Sequence, residues 1–151
     1  MITRLFDIVE HQLKNHPKEI AVATKTNGQW VSCDSQSLKK QADEVSCGLF
    51  SLGIKKDDKI AIIAYNRNEW NIVDFGVQQT GAVLVPVYST ISVSEFQFIL
   101  SDSESKIVFV ADKDLYDKIS SIKNQLPSLK HIFTFDNVNG APHWNEVKEA
   151  G

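Results

Sequence analysis

The apolar and polar positions at the start of the chain predict one short helix and a β-hairpin. Apolar residues between positions 5 and 13 recur at helical spacing, and the pattern ends before Pro17 because proline disfavours a helical conformation in the preceding residue. Ile20–Ala23 and Trp30-Val31 then have the composition of two short strands. Between them, Asn27-Gly28 can adopt the positive φ angles of a tight hairpin turn.

A second amphipathic stretch predicts the clearest helix of the chain. Asp34 or Ser35 can cap its start, because their side chains accept hydrogen bonds from free backbone N–H groups. Gly53 stands where a left-handed C-terminal cap is expected. Spacings of four and three residues place one apolar stripe on a single face: Leu38, Ala42, Val45, Leu49 and Leu52.

Beyond residue 58, apolar runs alternate with amphipathic stretches. The runs predict buried strands: Lys59–Tyr65, Ala82–Val87, Ile107–Ala111 and His131–Phe135. The stretches between them predict helices, the second of which is opened by the capping box Ser92-Val93-Ser94-Glu95: Glu69–Thr80, Val93–Leu100 and Lys113–Gln125. This alternation is typical of βαβ units. The predicted fold class is therefore α/β, a parallel sheet with flanking helices that is preceded by the short N-terminal hairpin.

The composition of the chain changes after residue 136. The tail is rich in asparagine, glycine and proline, with one short helical pattern around Trp144–Val147. We therefore divide the chain into an α/β subdomain over residues 1–136 and a linker over residues 137–151. Nothing in the tail closes the architecture, so we expect a partial subdomain of a larger protein.

Composition and charge predict a globular domain without a nucleic-acid partner. Hydrophobic residues make up 42% and charged residues 23% of the chain, close to the globular average. The 16 basic residues against 19 acidic ones leave a net charge of −3, without the basic excess that binding to a phosphate backbone needs. The two cysteines and four histidines show no metal-ligand spacing, so no metal site is predicted.

The chain shows neither a signal-peptide pattern nor a membrane-spanning run. Acidic residues enter as early as Asp7 and Glu10. The longest apolar runs, Ile60–Tyr65 and Ala82–Tyr88, are far shorter than the roughly 18 residues of a membrane span. We expect a soluble, cytoplasmic protein with reduced cysteines, and peripheral association with a membrane stays open.

Common nucleotide-binding motifs are absent from the sequence. No two glycines are two residues apart, as the dinucleotide fingerprint requires. The spacings Gly48–Gly53 and Gly76–Gly81 fit a phosphate loop, but Ile54 and Ala82 follow where that loop needs a lysine. His131 opens a strand and is expected to be structural. No catalytic residue is therefore assigned.

Polar and aromatic residues follow the first two strands of the predicted sheet. Ligands of open parallel sheets bind beyond the carboxyl ends of the strands. Arg67 is the only basic residue nominated there to meet an anion, and a surface ion pair is its expected role. Ordinary turn and cap chemistry, with Asn68 and Ser92 as helix caps, stays the alternative explanation. The candidate substrate-binding residues at these strand ends are Asn66, Tyr88, Ser89 and Thr90.

Several segments, taken in order, resemble the AMP-forming adenylate ligases. The last of them resembles the second core motif of that family, glycine-alanine followed by an apolar strand and proline. The Asn-x-x-Glu-Trp pattern of residues 66–70 and the Pro-Val-Tyr-Ser-Thr of residues 86–90 favour the long-chain fatty acyl-CoA synthetases over peptide-synthetase adenylation domains. The resembling segments are Trp30–Ser32, Ala42–Leu49, Leu52–Ile54, Asp57–Ile62, Asn66–Trp70 and Gln79–Thr90.

The resemblance runs from about Leu5 to Trp144, nearly the whole chain, with three departures. Cys33 and Ser37 stand where the first core motif usually has an aromatic residue and an acid, and Asp57 replaces a usual glycine. These positions lie at a helix entry and a turn, so they affect local detail rather than membership of the family.

The resemblance implies a two-step reaction of the parent enzyme. ATP and a fatty acid give an acyl-adenylate and pyrophosphate, and the thiol of coenzyme A then displaces AMP. ATP, Mg²⁺ and coenzyme A are thus the implied cofactors, and fatty acid and coenzyme A the implied substrates. The family's phosphate loop, ribose-binding acids and mobile lysine are not found in these 151 residues.

We therefore expect an N-terminal part of a larger ligase, inactive alone and without a bound cofactor. Its expected partner is the remainder of its own chain. A free-standing, non-catalytic α/β binding or interaction module stays the alternative, because a fold alone does not fix a function.

Overall fold

The computed structural model describes residues 2–151 and has the predicted α/β architecture. Two strands form an antiparallel hairpin, and four form a parallel sheet in the order β4-β3-β5-β6. Helices cover both faces of that sheet. In chain order the elements are α1 (Asp7–Asn15), β1 (Val22–Thr26), β2 (Gln29–Cys33), α2 (Ser35–Ser51), β3 (Lys59–Ile63), α3 (Asn68–Gln79), β4 (Val83–Val87), α4 (Val93–Asp102), β5 (Ile107–Val110), α5 (Lys113–Ile122) with a 3-10 turn (Lys123–Gln125), β6 (His131–Thr134) and α6 (Asn145–Glu149).

The hairpin turn and the ends of the second helix are as predicted, whereas β1 spans Val22–Thr26 rather than the predicted Ile20–Ala23 and β2 is longer than Trp30-Val31. Asn27 and Gly28 both have positive φ angles, 51° and 80°, and join β1 to β2. The carboxylate of Asp34 caps α2 by accepting a 2.6 Å hydrogen bond from the N–H of Ser37. Gly53 terminates the helix region with φ 79°.

Helix α2 is the centre of the packing on one face of the sheet. Its predicted apolar stripe is buried, except for Leu52, which is half-buried. Gly76 of α3 lets the two helices approach closely, because a Cβ at that position would lie 2.6 Å from Cγ1 of Val45. A larger residue at this position would force α2 and α3 apart.

The predicted strand over Ala82–Val87 is confirmed as β4, but the prediction that it is buried is wrong. Strands β3 and β5 occupy the middle of the sheet and are covered on both faces, whereas β4 lies at its edge. Val83 is 46% exposed, and Leu84 and Val85 are only half-buried. An apolar run marks a strand, but its place in the sheet depends on pairing between distant segments, which the run does not encode.

The tail packs against the domain. The N–H of Thr134 donates to the carbonyl of Pro142, and the N–H of Trp144 donates to the carbonyl of Thr134, both at 2.9 Å. Helix α6 lies against α2 with Val147 fully buried. Residues 137–151 therefore pack on α2 and pair with the last residue of β6. The division into a subdomain and a linker leading to further chain stays a prediction.

Candidate substrate-binding site

The carboxyl ends of β3 and β4 form an open cleft of about 580 Å³. The two strands are parallel, with Ile63 opposite Val87, so the residues that follow each strand meet at the same edge. Three of the four candidate residues line the cleft, and Thr90 does not. The lining residues are Ala64, Tyr65, Asn66, Trp70, Pro86, Val87, Tyr88 and Ser89.

The walls of this cleft are mostly aromatic and apolar. Tyr88 is 83% exposed and Tyr65 is also exposed, while Trp70 of α3 is half-buried and packs against the core. Asn66 and Ser89 supply the polar groups. No lining residue carries a charge, so the cleft suits an uncharged, largely apolar group better than a phosphate.

A second cleft of about 580 Å³ lies between the hairpin and α3. It shares Asn66 and Trp70 with the first, so the two clefts adjoin each other at these residues. Lys25 and Trp30, directly opposite each other on the hairpin, line it as well. Sequence patterns missed these two residues because nothing in their spacing indicates that the hairpin folds toward the strand ends.

Asn68 fastens the hairpin to the site. Its backbone N–H donates to Oγ1 of Thr24 at 2.6 Å, and that hydroxyl donates to Oδ1 of Asn68 at 3.0 Å. Its side-chain Nδ2 donates to the carbonyl of Val31 at 3.0 Å. The prediction that Asn68 caps α3 is wrong: it is the first residue of the helix, and its amide bridges to the hairpin instead.

Arg67 is bound on two sides by carboxylates. Its Nε and Nη2 donate to the two carboxylate oxygens of Glu69, each at 3.0 Å, and its Nη1 donates to Asp136 at 3.1 Å. Its guanidinium carbon lies 5.0 Å from the ring centre of Phe135. The side chain is only 17% exposed. The expected surface ion pair is therefore a partly buried cluster that joins the ends of β3 and β6.

Burial and ion pairing act in opposite directions on this cluster. Burial is the largest single influence and disfavours the charged form of both Arg67 and Glu69, but their hydrogen bonds and the attraction of opposite charges together outweigh it. The pKa of Arg67 is consequently raised and the pKa of Glu69 is lowered. Because both carboxylates already hold the guanidinium, Arg67 is not free to bind an anionic ligand.

The prediction that Ser92 caps the helix after β4 is confirmed. The side chain of Ser92 accepts a hydrogen bond from the N–H of Glu95 at 3.3 Å, and the Glu95 carboxylate accepts one from the N–H of Ser92 at 2.8 Å. This capping box starts α4 and fixes the direction of the chain after Tyr88.

Other titratable groups do not extend the site. Burial, together with the charges of Lys123 and Lys130, lowers the pKa of His131, whose ring stacks 5.8 Å from that of Phe133. Within residues 2–151, no three histidine, cysteine or acidic side chains are grouped so that they could hold a metal ion. No helix of that range is long and apolar enough to cross a membrane.

Comparisons with known proteins agree with the resemblance seen in the sequence. A family model described as "AMP-binding enzyme" matches residues 9–150. The long-chain-fatty-acid–CoA ligase FadD15 of Mycobacterium tuberculosis is 26% identical over 144 residues, which are 95% of this chain and 24% of that protein. The chain thus spans about a quarter of the length of this relative.

Two further comparisons bear on fold and length. The crystal structure of the anthranilate CoA ligase AuaEII with anthranoyl-AMP superposes with a TM-score of 0.83 at 22% identity, over 97% of this chain and 27% of that one. The uncharacterized protein Rv1549 of M. tuberculosis is 27% identical over 122 residues, 81% of this chain and 66% of that protein. Because the family model matches nearly the whole chain, the protein belongs to the AMP-binding enzyme family.

Proposed function

We propose that the chain is the N-terminal part of an AMP-forming ligase that joins long-chain fatty acids to coenzyme A. The observation that carries the proposal is a family match over residues 9–150 combined with a span of only 24% of the related ligase. In this account the chain supplies the first sheet of the enzyme, and the groups that handle ATP lie in the further chain.

The first cleft offers no positive charge to a triphosphate. The first cleft has no cationic lining residue, and the guanidinium of Arg67 is already held by Glu69 and Asp136. Binding and activating ATP requires preorganised donors and cations around the phosphates. We therefore propose that ATP, Mg²⁺ and coenzyme A are used by the parent enzyme and that the 151-residue chain alone is inactive.

The first cleft is the proposed contribution of this chain to substrate binding. Its aromatic and apolar walls suit an acyl group, and Asn66 and Ser89 add hydrogen-bonding groups at the strand ends. Tyr88 forms one wall, and Thr90 follows just outside the lining. These four residues remain the proposed substrate contacts. We also propose that the protein works in the cytoplasm.

The proposal is tested on the product of the full reading frame that contains this chain. With a long-chain fatty acid, ATP, Mg²⁺ and coenzyme A, we expect acyl-CoA formation by thioester analysis. Absence of acyl-CoA formation over a range of chain lengths would contradict the proposal.

A free-standing binding module is the second candidate. The length of Rv1549 favours it, because this chain covers 66% of that protein rather than a quarter. The reading frame after Gly151 separates the two candidates. A following Gly/Ser/Thr-rich phosphate loop supports the ligase, whereas a stop codon supports the module.

A further inference from the structure

The two edges of the parallel sheet differ in how they are covered. The chain's own tail pairs with the outer edge of β6 only at its last residue, through hydrogen bonds of Thr134 with Pro142 and Trp144. Strand β4 has only β3 as a neighbour within residues 2–151. The end of one edge is thus occupied by the chain itself, whereas the other edge is open along its whole length.

The backbone of the open edge lacks one of its outward hydrogen-bond donors. Val83 donates its N–H to the carbonyl of Asp58 at 2.8 Å, so the alternation of a strand directs the nitrogens of Leu84 and Pro86 away from β3. Proline has no N–H group. Leu84 therefore offers the one outward N–H of β4, and a partner strand could pair with this edge only over a short length.

The side chains of the open edge are unlike those of an edge that faces water. Sheet edges exposed to solvent are usually protected by charged residues, lysine above all. Here no charged residue occurs between positions 80 and 94. Val83 is 46% exposed, Tyr88 is 83% exposed and Pro86 is also exposed. Covering such an edge with apolar groups would therefore be energetically favourable.

We propose that this β4 edge surface, made of Val83, Leu84, Pro86 and Tyr88, is the docking surface for the polypeptide that continues this chain in the parent ligase. The inference rests on the proposed function. The occupant is inferred from the lengths of the related ligases. The chain covers 24% of FadD15 and 27% of the anthranilate ligase, so most of each of those proteins lies outside the matched part.

The chemistry of the edge specifies how the continuing chain binds. Apolar side chains pack on Val83, Pro86 and Tyr88, and one backbone carbonyl accepts the N–H of Leu84. Because Pro86 removes the second donor, packing of side chains contributes more than a continuous ladder of backbone hydrogen bonds.

Hydroxyl-radical labelling, read by mass spectrometry, tests the docking surface. The 151-residue chain is compared with the product of the full reading frame, and each denatured protein gives the reference for full exposure. We expect labelling of Val83, Pro86 and Tyr88 to fall severalfold in the longer protein. Equal labelling in both proteins would overturn the proposal, and so would protection that appears only as the protein concentration rises, since a second copy would then cover the edge.

Acyl-CoA formation is measured on the same longer protein. Activity without protection of the edge overturns the docking surface alone. Protection without activity overturns the proposed function and leaves the docking surface in place.

A charge placed on the edge supplies an independent readout. Val83→Lys should leave the urea midpoint of the 151-residue chain unchanged, because Val83 is nearly half exposed there. In the longer protein it should restore labelling of Pro86 and Tyr88. The control Ser121→Lys adds the same charge on the exposed surface of α5 and should change neither protein. Full protection of the edge in the Val83→Lys protein would contradict the proposal.

Discussion

Single polar side chains fasten the hairpin and the strand ends to the rest of the domain. Asn68 holds Thr24 and Val31 of the hairpin, and Arg67 joins Glu69 to Asp136 beyond β6. Arg67 is the last residue of the turn between β3 and α3, and Asn68 is the first residue of α3. This junction thus fixes the geometry of the two clefts.

Removing the Asn68 amide should weaken the hairpin attachment. Asn68→Ala leaves the carbonyl of Val31 and the hydroxyl of Thr24 without this partner, and a lost buried hydrogen bond costs about 1–3 kcal/mol of unfolding free energy. Asn66→Ala, at the exposed neighbour in the cleft, should stay within about 0.5 kcal/mol. Urea denaturation of both variants measures the difference, and equal costs would contradict the bridging role.

The Arg67–Glu69 pair should make stability depend on pH. The pKa of Glu69 is lowered in the folded chain. The contribution of its charge to the free energy of unfolding is therefore complete above about pH 4.3, the pKa of a glutamate in the unfolded chain. This contribution is lost as the pH falls from there through the lower pKa of Glu69 in the folded chain, because the unfolded chain binds more protons than the folded chain in this range.

Glu69→Gln should therefore be less stable than the wild type at neutral pH, and the gap should narrow toward about pH 3, below the unfolded pKa of a glutamate. Urea unfolding across this pH range provides the measurement. A gap that is constant with pH would show that the Glu69 charge does not contribute.

Residue roles that depend on distant partners were beyond prediction from sequence. Thr24 and Asn68 are 44 positions apart, and Arg67 reaches Asp136 over 69 positions. Local patterns correctly indicated the caps at Asp34 and Ser92, because each bonds to a backbone group three residues away.

Helix faces and turns follow directly from local spacing, whereas strand order does not. The stripe of α2 and the glycine turns were predictable because their partners lie within one or two helical turns. The edge position of β4 was not, because β4 and β3 are brought together by a crossover helix and their apolar runs look alike in sequence.

The orientation of α2 predicts a difference between two nearby residues. Leu49 is fully buried and Ser51 is exposed. Leu49→Ala should cost about 2–5 kcal/mol, and Ser51→Ala should stay within about 0.5 kcal/mol. Denaturant melts of the two variants measure these costs. If both substitutions cost the same, the helix face has been assigned incorrectly.

At the scale of the whole molecule, the chain folds around two apolar clusters, one on each face of its sheet. The α/β class and the family resemblance could be predicted from the sequence, because alternating runs and ordered motifs extend over nearly the whole chain. The three-dimensional cleft could not, because it combines strand ends with a hairpin that is distant in sequence.

Pyrophosphate release tests the central claim most directly. The purified 151-residue chain is incubated with ATP, Mg²⁺ and a long-chain fatty acid, beside the product of the full reading frame under the same conditions. The account predicts fatty-acid-dependent release by the longer protein and none by the 151-residue chain, because the described residues leave no free cation in the first cleft. Turnover by the 151-residue chain would contradict the account, since it would place the catalytic groups among residues described here as structural.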